Sequence, residues 1–204
     1  MSVDSTLAKY LQSFAHLRTD HTGGWTDATK GHAPHKPLLL LVILDLFDQG
    51  RIASNLIEIS PELGELFAAY WYSIMPKERK GNLALPFFHL RSSKFWHLIP
   101  RPNQETLLEI TRQVDTLTQL QRLILGAELD DDLYILLQSQ SNRNSLRTSL
   151  IQTYFSSELH GVLLAQSEMS RQTFVYSQHL IEQARKHMAE SPNETDAYQP
   201  MCRD

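Results

Sequence analysis

Apolar residues recur at helical spacing along much of the chain and predict a mainly helical domain. In STLAKYLQSFAHLRTD they define one face of an opening helix: Leu7, Leu11, Phe14 and Leu17. The run HKPLLLLVILDLF is apolar on nearly every side, as in a buried helix. We predict that this helix starts at Pro37, where a missing N–H costs nothing, and runs to about Gln49 before Gly50.

Further elements follow from capping residues and from alternation. Ser60 and Pro61 are typical of the cap and first residue of another helix. NLIEI is a strand candidate, LPFFHLRSSKFWHLIP predicts two aromatic-rich strands around Ser92 and Ser93, and ETLLEI could add a third strand. From Asp115 onward the pattern is helical, with helices predicted in LDDDLYILLQ, SNRNSLRTSLIQTYF and SSELHGVLLAQ. The fold class is therefore α+β, a mainly helical domain with a small antiparallel sheet or hairpin.

Composition places the chain among ordinary globular domains. Its 204 residues are 42% hydrophobic and 21% charged, enough for a substantial core. The single cysteine, Cys202, excludes a disulfide within the chain and a cysteine-based zinc site. No secretory signal opens the sequence, and its longest apolar run is far shorter than the roughly 20 residues that span a membrane. We therefore expect a cytoplasmic location and no membrane partner.

Two regions differ in pattern. Residues 1–190 carry the periodic elements, whereas SPNETDAYQPMCRD, residues 191–204, is polar and aperiodic. We interpret 191–204 as a linker toward a C-terminal domain that is missing from this sequence.

Motifs of common enzyme classes are absent from the sequence. It contains no Gly-rich phosphate loop, no nucleophile elbow and no zinc-protease helix. His32 and His35 lie in a Pro-containing loop without a carboxylate pair beside them, so they do not suggest a metal site. The adjacent acids Asp130, Asp131 and Asp132 fit the first turn of a helix better than a metal cluster. We assign no catalytic residue, no metal ligand and no cofactor to this domain.

Basic residues are concentrated in one segment of an otherwise acidic chain. The net charge is −4, yet between Pro76 and Arg101 there are six basic residues and one acidic residue, a local charge of +5. The basic residues are Lys77, Arg79, Lys80, Arg91, Lys94 and Arg101. Charge alone favours a solvated surface loop and a local anion-binding surface about equally.

The start of the apolar helix is a second candidate anion site. Free N–H groups and the helix dipole attract an anion there, and His35 and Lys36 add donors and positive charge. The combination suits a phosphate. From this stretch alone, a local capping or packing role for His35 is the better explanation.

Four motifs together resemble the sulfur-binding domains of type IV restriction endonucleases. These motifs, HAPHKPLLLLVILDL, LPFFHLRSSKFWHLIP, LDDDLYILL and SNRNSLRTSLIQTYF, occur in the family's order and spacing. The resemblance covers about residues 4–190. In that family the domain recognises DNA with a phosphorothioate, in which sulfur replaces a non-bridging oxygen, and precedes an HNH nuclease domain. YQPMCRD resembles the start of the segment that leads into it.

The resemblance assigns roles to particular residues. It implies that His35 and Lys36 are the basic pair at the modified phosphate, and that Leu85, Pro86 and His89 form the wall of the sulfur pocket. Relatives often carry Tyr before the proline and a small residue where this chain has His89.

Further contacts are implied outside this group. Arg143 and Arg147 lie in the motif that supplies another contact to the DNA backbone, and the sequence leaves open which of them makes it. Lys30 and His32 correspond to base-reading positions, with His32 where relatives tend to have Arg.

The resemblance implies that this chain binds phosphorothioated double-stranded DNA as the recognition module of a modification-dependent restriction enzyme. The chain alone is expected not to cut, and a divalent metal is expected only in the missing nuclease domain. The full-length protein could form a homodimer. Alternatives are a module of the same fold that reads another modification or a plain sequence, a protein-interaction domain for an acidic partner, and an independent enzyme.

Overall fold

A computed structural model describes the backbone of residues 3–190 and the side chains of residues 3–188. The described chain forms nine α-helices, a three-stranded sheet and two short 3-10 turns at Asp27–Thr29 and Leu90–Ser92. The helices are α1 Val3–Ala15, α2 His35–Asp48, α3 Pro61–Ile74, α4 Ala84–His89, α5 Glu105–Ile110, α6 Leu117–Leu123, α7 Asp131–Leu136, α8 Gln140–Tyr154 and α9 Ser157–Glu190. The strands are β1 Ile57–Glu58, β2 Trp96–Pro100 and β3 Ile124–Leu129. This architecture confirms the predicted fold class.

Helix α2 is the centre of the fold. Every residue from Lys36 to Phe47 is buried, because α3, α4, α8 and α9 all pack against this helix. It begins at His35, two residues before the predicted start, so Pro37 lies in the first turn, where its N–H would have no partner within the helix. Gly50 ends the helix with a φ of 65°, as predicted. Because α2 is packed on all sides, the position of its first turn is fixed relative to α3, α4, α8 and α9.

The sheet is antiparallel throughout, with strand order β1-β3-β2. The predicted strand in NLIEI is confirmed as β1, and the predicted second aromatic strand is confirmed as β2. The helix expected from Asp115 onward is interrupted by β3, the central strand, which the sequence analysis missed. Its buried positions include the neighbours Gly126 and Ala127, so the strand lacks a strong apolar alternation. A Cβ at residue 126 would lie 2.5 Å from the carbonyl oxygen of Ile57, so the close strand pairing requires glycine.

Two predicted strands are helices, and those predictions were wrong. LPFFH lies in α4, with Pro86 in the first turn, and ETLLEI forms α5. The side-chain oxygen of Asn82 accepts a hydrogen bond of 3.0 Å from the backbone N–H of Ala84 at the start of α4. Phe87 and Phe88 are completely buried. The aromatic residues that suggested a strand are therefore buried by packing of a helix.

Other predicted elements agree with the structure. Ser60 caps α3 by accepting a hydrogen bond of 3.2 Å from the backbone N–H of Leu63. Acidic residues occupy the first turn of α7, and α8 and α9 form where helices were expected. None of the described helices is long and apolar enough to cross a membrane. The linker predicted at 191–204 lies outside the described residues.

Candidate nucleic-acid interface

A cavity of about 620 Å³ opens at the first turn of α2. Its lining comes from the segment before α2, the start of α2, and α4 with the turn that follows it. The lining residues are Arg18, Thr19, Asp20, Trp25, Ala33, His35, Lys36, Leu85, Pro86, His89, Arg91 and Ser92. The structure therefore brings together the two groups of residues that the sequence analysis had placed at a phosphate and at a sulfur pocket. Their roles remain predictions.

Lys36 is a buried cation at this cavity. Its side chain is held by two hydrogen bonds, from Nζ to the carbonyl oxygen of Arg18 at 2.8 Å and to Oγ of Ser92 at 3.1 Å. Burial, together with the charge of Arg18, lowers the pKa of Lys36 to about 8. Lys36 therefore remains mostly protonated at pH 7. Because it is buried, its ammonium group would give up little water when an anion binds.

His35 lies between two tryptophans. Its ring centroid is 5.4 Å from that of Trp25 in an edge-on arrangement and 4.5 Å from that of Trp71. Burial and then the nearby charge of Arg79 lower the pKa of His35 to about 4. The resemblance implies a basic pair of His35 and Lys36, but His35 is neutral near pH 7. It offers a hydrogen bond rather than a charge.

The short helix α4 forms the apolar side of the cavity. Leu85 and His89 are one helical turn apart and therefore share a face, which is only partly buried. Pro86 is buried next to them. The three residues meet through helical spacing and not through the strand spacing that the sequence had suggested. Burial first, then the charges of Lys36 and Arg91, lower the pKa of His89.

Asp20 organises the loop on another side of the cavity. Its carboxylate accepts hydrogen bonds from the backbone N–H groups of Thr22 and Gly23, at 3.0 and 3.1 Å, and from the Trp25 indole at 3.0 Å. The hydrogen bond from Trp25 and those from Thr22 lower the pKa of Asp20. A Cβ at Gly23 would come within 2.9 Å of both Asp20 and Trp25. A side chain at position 23 would therefore displace the Asp20 carboxylate or the Trp25 ring, and the hydrogen bonds of Asp20 fix Trp25 at the cavity.

The basic segment contributes unequally. Arg91 lines the cavity, with its guanidinium 3.9 Å from the ring centroid of Phe88 and donating to the carbonyl oxygen of Thr111 at 2.7 Å. Lys77, Lys80 and Lys94 are exposed to solvent. Arg79 contacts the loop around Trp25.

The structure places Arg143 and Arg147 elsewhere. Both are buried, and they pair with carboxylates of α2: Arg143 with Asp48 at 2.5 Å, and Arg147 with Asp48 at 2.5 Å and Asp45 at 3.0 Å. Neither lines the cavity at the start of α2. These ion pairs give both arginines a role in packing α8 against α2, so we leave them out of the proposed interface. The DNA contact that the resemblance implied for one of them stays a prediction.

The two predicted base readers lie in the loop before α2. Lys30 is exposed, has a φ of 49° and donates a hydrogen bond to the carbonyl oxygen of Gln152. His32 forms a 2.8 Å hydrogen bond with Oγ1 of Thr19, and its ring lies 5.5 Å from that of Tyr154. Neither residue lines the cavity, although Thr19 does.

Six lining residues were not predicted from the sequence: Arg18, Thr19, Asp20, Trp25, Ala33 and Ser92. The available signal was the cluster DHTGGW, in which an Asp followed by glycines is typical of a side-chain-stabilised turn. Within the described residues, no group of three or more His, Cys, Asp or Glu side chains is arranged to hold a metal ion.

Comparisons with known proteins identify a shared fold and a family. Among solved structures, a likeness is found to a chain described as the sulfur binding domain of SprMcrA complexed with phosphorothioated DNA. Its TM-score is 0.57 at 15% identity, over 84% of this chain and 99% of that chain, which establishes a shared fold. No curated protein matches the chain. The model of the ScoMcrA-like DNA sulfur-binding domain family matches residues 8–172, and the chain therefore belongs to that family.

Proposed function

We propose that this domain binds double-stranded DNA that carries a phosphorothioate, and that the modified phosphate occupies the cavity at the start of α2. The observation that carries this proposal is the meeting of a buried cation, Lys36, with the apolar surface of Leu85 and Pro86 in one cavity. Family membership and the likeness to a domain complexed with phosphorothioated DNA support the same ligand.

The mixed lining fits the chemistry of a phosphorothioate. Sulfur is larger and less strongly hydrated than oxygen, so an apolar surface accepts it at low cost. An oxygen held against Leu85 and Pro86 loses water and gains no hydrogen bond from these two residues, which costs on the order of 1–3 kcal/mol. Lys36 meanwhile attracts the anion whether it carries sulfur or oxygen. In this scheme the cation supplies affinity and the apolar wall supplies selectivity.

The domain acts in this proposal as the recognition module of a modification-dependent restriction enzyme. We assign no catalytic residue to it, and cleavage would belong to an HNH nuclease domain outside this sequence. A divalent metal would serve that nuclease domain. The proposal places the protein with DNA in the cytoplasm, and a homodimer would let one assembly engage two modified strands.

A titration of matched duplexes tests the proposal. Three duplexes of one sequence would be compared, one with a plain backbone and two with a single phosphorothioate of either stereochemistry. We expect one stereoisomer to bind at least about 10-fold more tightly than the plain duplex, since 1.4 kcal/mol corresponds to a factor of ten. The two isomers should differ, because only one directs sulfur toward Leu85 and Pro86.

Other outcomes identify the alternatives. Equal binding of all three duplexes would indicate a reader of plain sequence or of another modification. No binding to any duplex, with the protein folded, would favour a protein-interaction domain for an acidic partner.

A further inference from the structure

We propose that Arg79 is a positioning residue that fixes His35 within the cavity, and that it does not contact the DNA backbone. The proposal rests on the proposed function and assigns Arg79 a different role from the other cations of the basic segment. It follows from three sets of contacts that converge on this one residue.

The first contacts are those of the side chain with the Trp25 loop. The guanidinium carbon lies 3.7 Å from the centroid of a Trp25 ring. Its nitrogens donate to the carbonyl oxygens of Gly23 at 2.6 Å and Gly24 at 3.5 Å. A cation that is stacked and hydrogen-bonded in this way would break all these contacts in order to reach a phosphate.

The second contact is made by the backbone of the same residue. The carbonyl oxygen of Arg79 accepts a 2.6 Å hydrogen bond from the indole N–H of Trp71, which is completely buried in α3. Two residues further on, a Cβ at Gly81 would lie 2.7 Å from the Trp71 ring. The segment around Arg79 is therefore seated directly on this ring.

The third set joins both tryptophans to His35. The imidazole lies edge-on to Trp25 and 4.5 Å from the centroid of Trp71. Arg79 thus fixes one tryptophan through its side chain and the other through its carbonyl group. Loss of the guanidinium removes one of the two sets of contacts that hold the Trp25 loop, the other being the hydrogen bonds to Asp20, and leaves Trp71 in place. One side of the His35 site is therefore held less firmly.

Electrostatics agree with this arrangement. After burial, the charge of Arg79 is the main cause of the low pKa of His35, and the opposing influence is Asp20. Arg79 consequently adds to the effect of burial in lowering the pKa of His35.

The salt dependence of DNA binding distinguishes a positioning residue from a phosphate contact. Each phosphate contact that is removed lowers the slope of log K against log salt by about 1. We expect Arg79→Met to weaken binding to the phosphorothioated duplex on the order of 10-fold, with the slope unchanged. Lys80→Met is the matched control, because it removes the same charge from an exposed position one residue away. A slope that falls by about 1 for Arg79→Met would overturn the proposal.

Titration of the free protein gives a readout that does not depend on DNA. Followed by NMR, the pKa of His35 should rise from about 4 toward its ordinary value in Arg79→Met and should not move in Lys80→Met. An unchanged pKa in folded Arg79→Met would contradict the proposal even if DNA binding fell. If the wild-type protein shows no preference for phosphorothioated DNA, the proposed function fails, whereas this measurement still decides the role of Arg79.

A second variant tests whether Arg79 acts through Trp25. Trp25→Leu removes the ring on which Arg79 lies, so a protein that carries both Arg79→Met and Trp25→Leu should bind about as weakly as either single variant. Fully additive losses would mean that the two residues act independently, against the proposal. Circular dichroism checks that each variant is folded.

Discussion

At the scale of single residues, selectivity for sulfur in the proposed site depends on the apolar surface that Leu85 and Pro86 of α4 present to the cavity. Leu85→Ser or Pro86→Ser places a hydroxyl on the apolar wall, where it gives an oxygen a hydrogen-bond partner. We expect the free-energy preference for the phosphorothioated over the plain duplex, given by the ratio of their dissociation constants, to fall by about 1–3 kcal/mol. The ratio is measured at one salt concentration on variants shown to be folded. Folded variants with the full wild-type ratio would place the sulfur pocket elsewhere.

Substitution of His89, on the same side of the cavity, is expected to change the preference for sulfur in the opposite direction. Its imidazole lines the cavity, and burial lowers its pKa. The ring carries an N–H in either protonation state and can donate a hydrogen bond to a phosphate oxygen. His89→Ala removes this donor, and we expect the preference for sulfur over oxygen to increase. The same pair of duplexes checks the ratio, with His97→Ala as a control at an exposed histidine outside the cavity. A ratio that decreases in His89→Ala would show that the imidazole favours sulfur.

The titration of Lys36 predicts a pH dependence for DNA binding. Burial lowers its pKa to about 8, so the ammonium is present below pH 8 and is lost as the pH rises above it. We expect affinity for the phosphorothioated duplex to be level from pH 6 to 7 and to weaken between pH 8 and 9.5. Lys36→Arg keeps its charge throughout this range and should remove the dependence. A pH-independent wild-type affinity would mean that Lys36 is not a ligand of the phosphate.

At the scale of elements, the sequence predicted the helices whose patterns are continuous and failed where packing decides. Helix α2 could be recognised because its apolar run is long and ends at Gly50. Helix α4 could not, since a short aromatic run fits a strand as well as a buried helix. Strand β3 was missed because Gly126 weakens its pattern, and its reason for being glycine is a contact with Ile57, 69 positions earlier in the chain.

The site shows the same division. His35, Lys36, Leu85 and Pro86 could be named from motifs that resemble a family. Trp25 could not, because its position depends on a hydrogen bond with Asp20 and on Arg79, which is distant in sequence.

The packing of α8 against α2 provides a prediction about stability. Arg147 is 6% exposed and Asp45 is 2% exposed, so the pair is buried in the core. Arg147→Ala removes one partner and leaves a carboxylate without its cation, which typically costs about 3–5 kcal/mol. Urea unfolding should show this loss, while the folded variant should bind DNA like the wild type. Weakened DNA binding without a loss of stability would instead support the backbone contact that the resemblance implies.

At the scale of the whole molecule, binding to DNA requires that positive charge be concentrated in a protein whose net charge is −4. The segment between Pro76 and Arg101 carries +5, and Arg18 and Lys36 lie at the same cavity as its Arg91. A surface that neutralises four to six phosphates gives a slope of log K against log salt of roughly −4 to −5, because each contact releases condensed counterions.

We expect such a slope for the wild-type domain on plain and phosphorothioated duplexes alike, since sulfur changes the local contact and not the number of phosphates covered. The two lines should therefore be parallel and separated by the selectivity of the apolar wall. Fluorescence anisotropy between about 50 and 300 mM salt measures both quantities in one series. Lines that converge with rising salt would mean that the preference for sulfur is itself electrostatic. The assignment of affinity to Lys36 and of selectivity to the apolar residues of α4 would then be wrong.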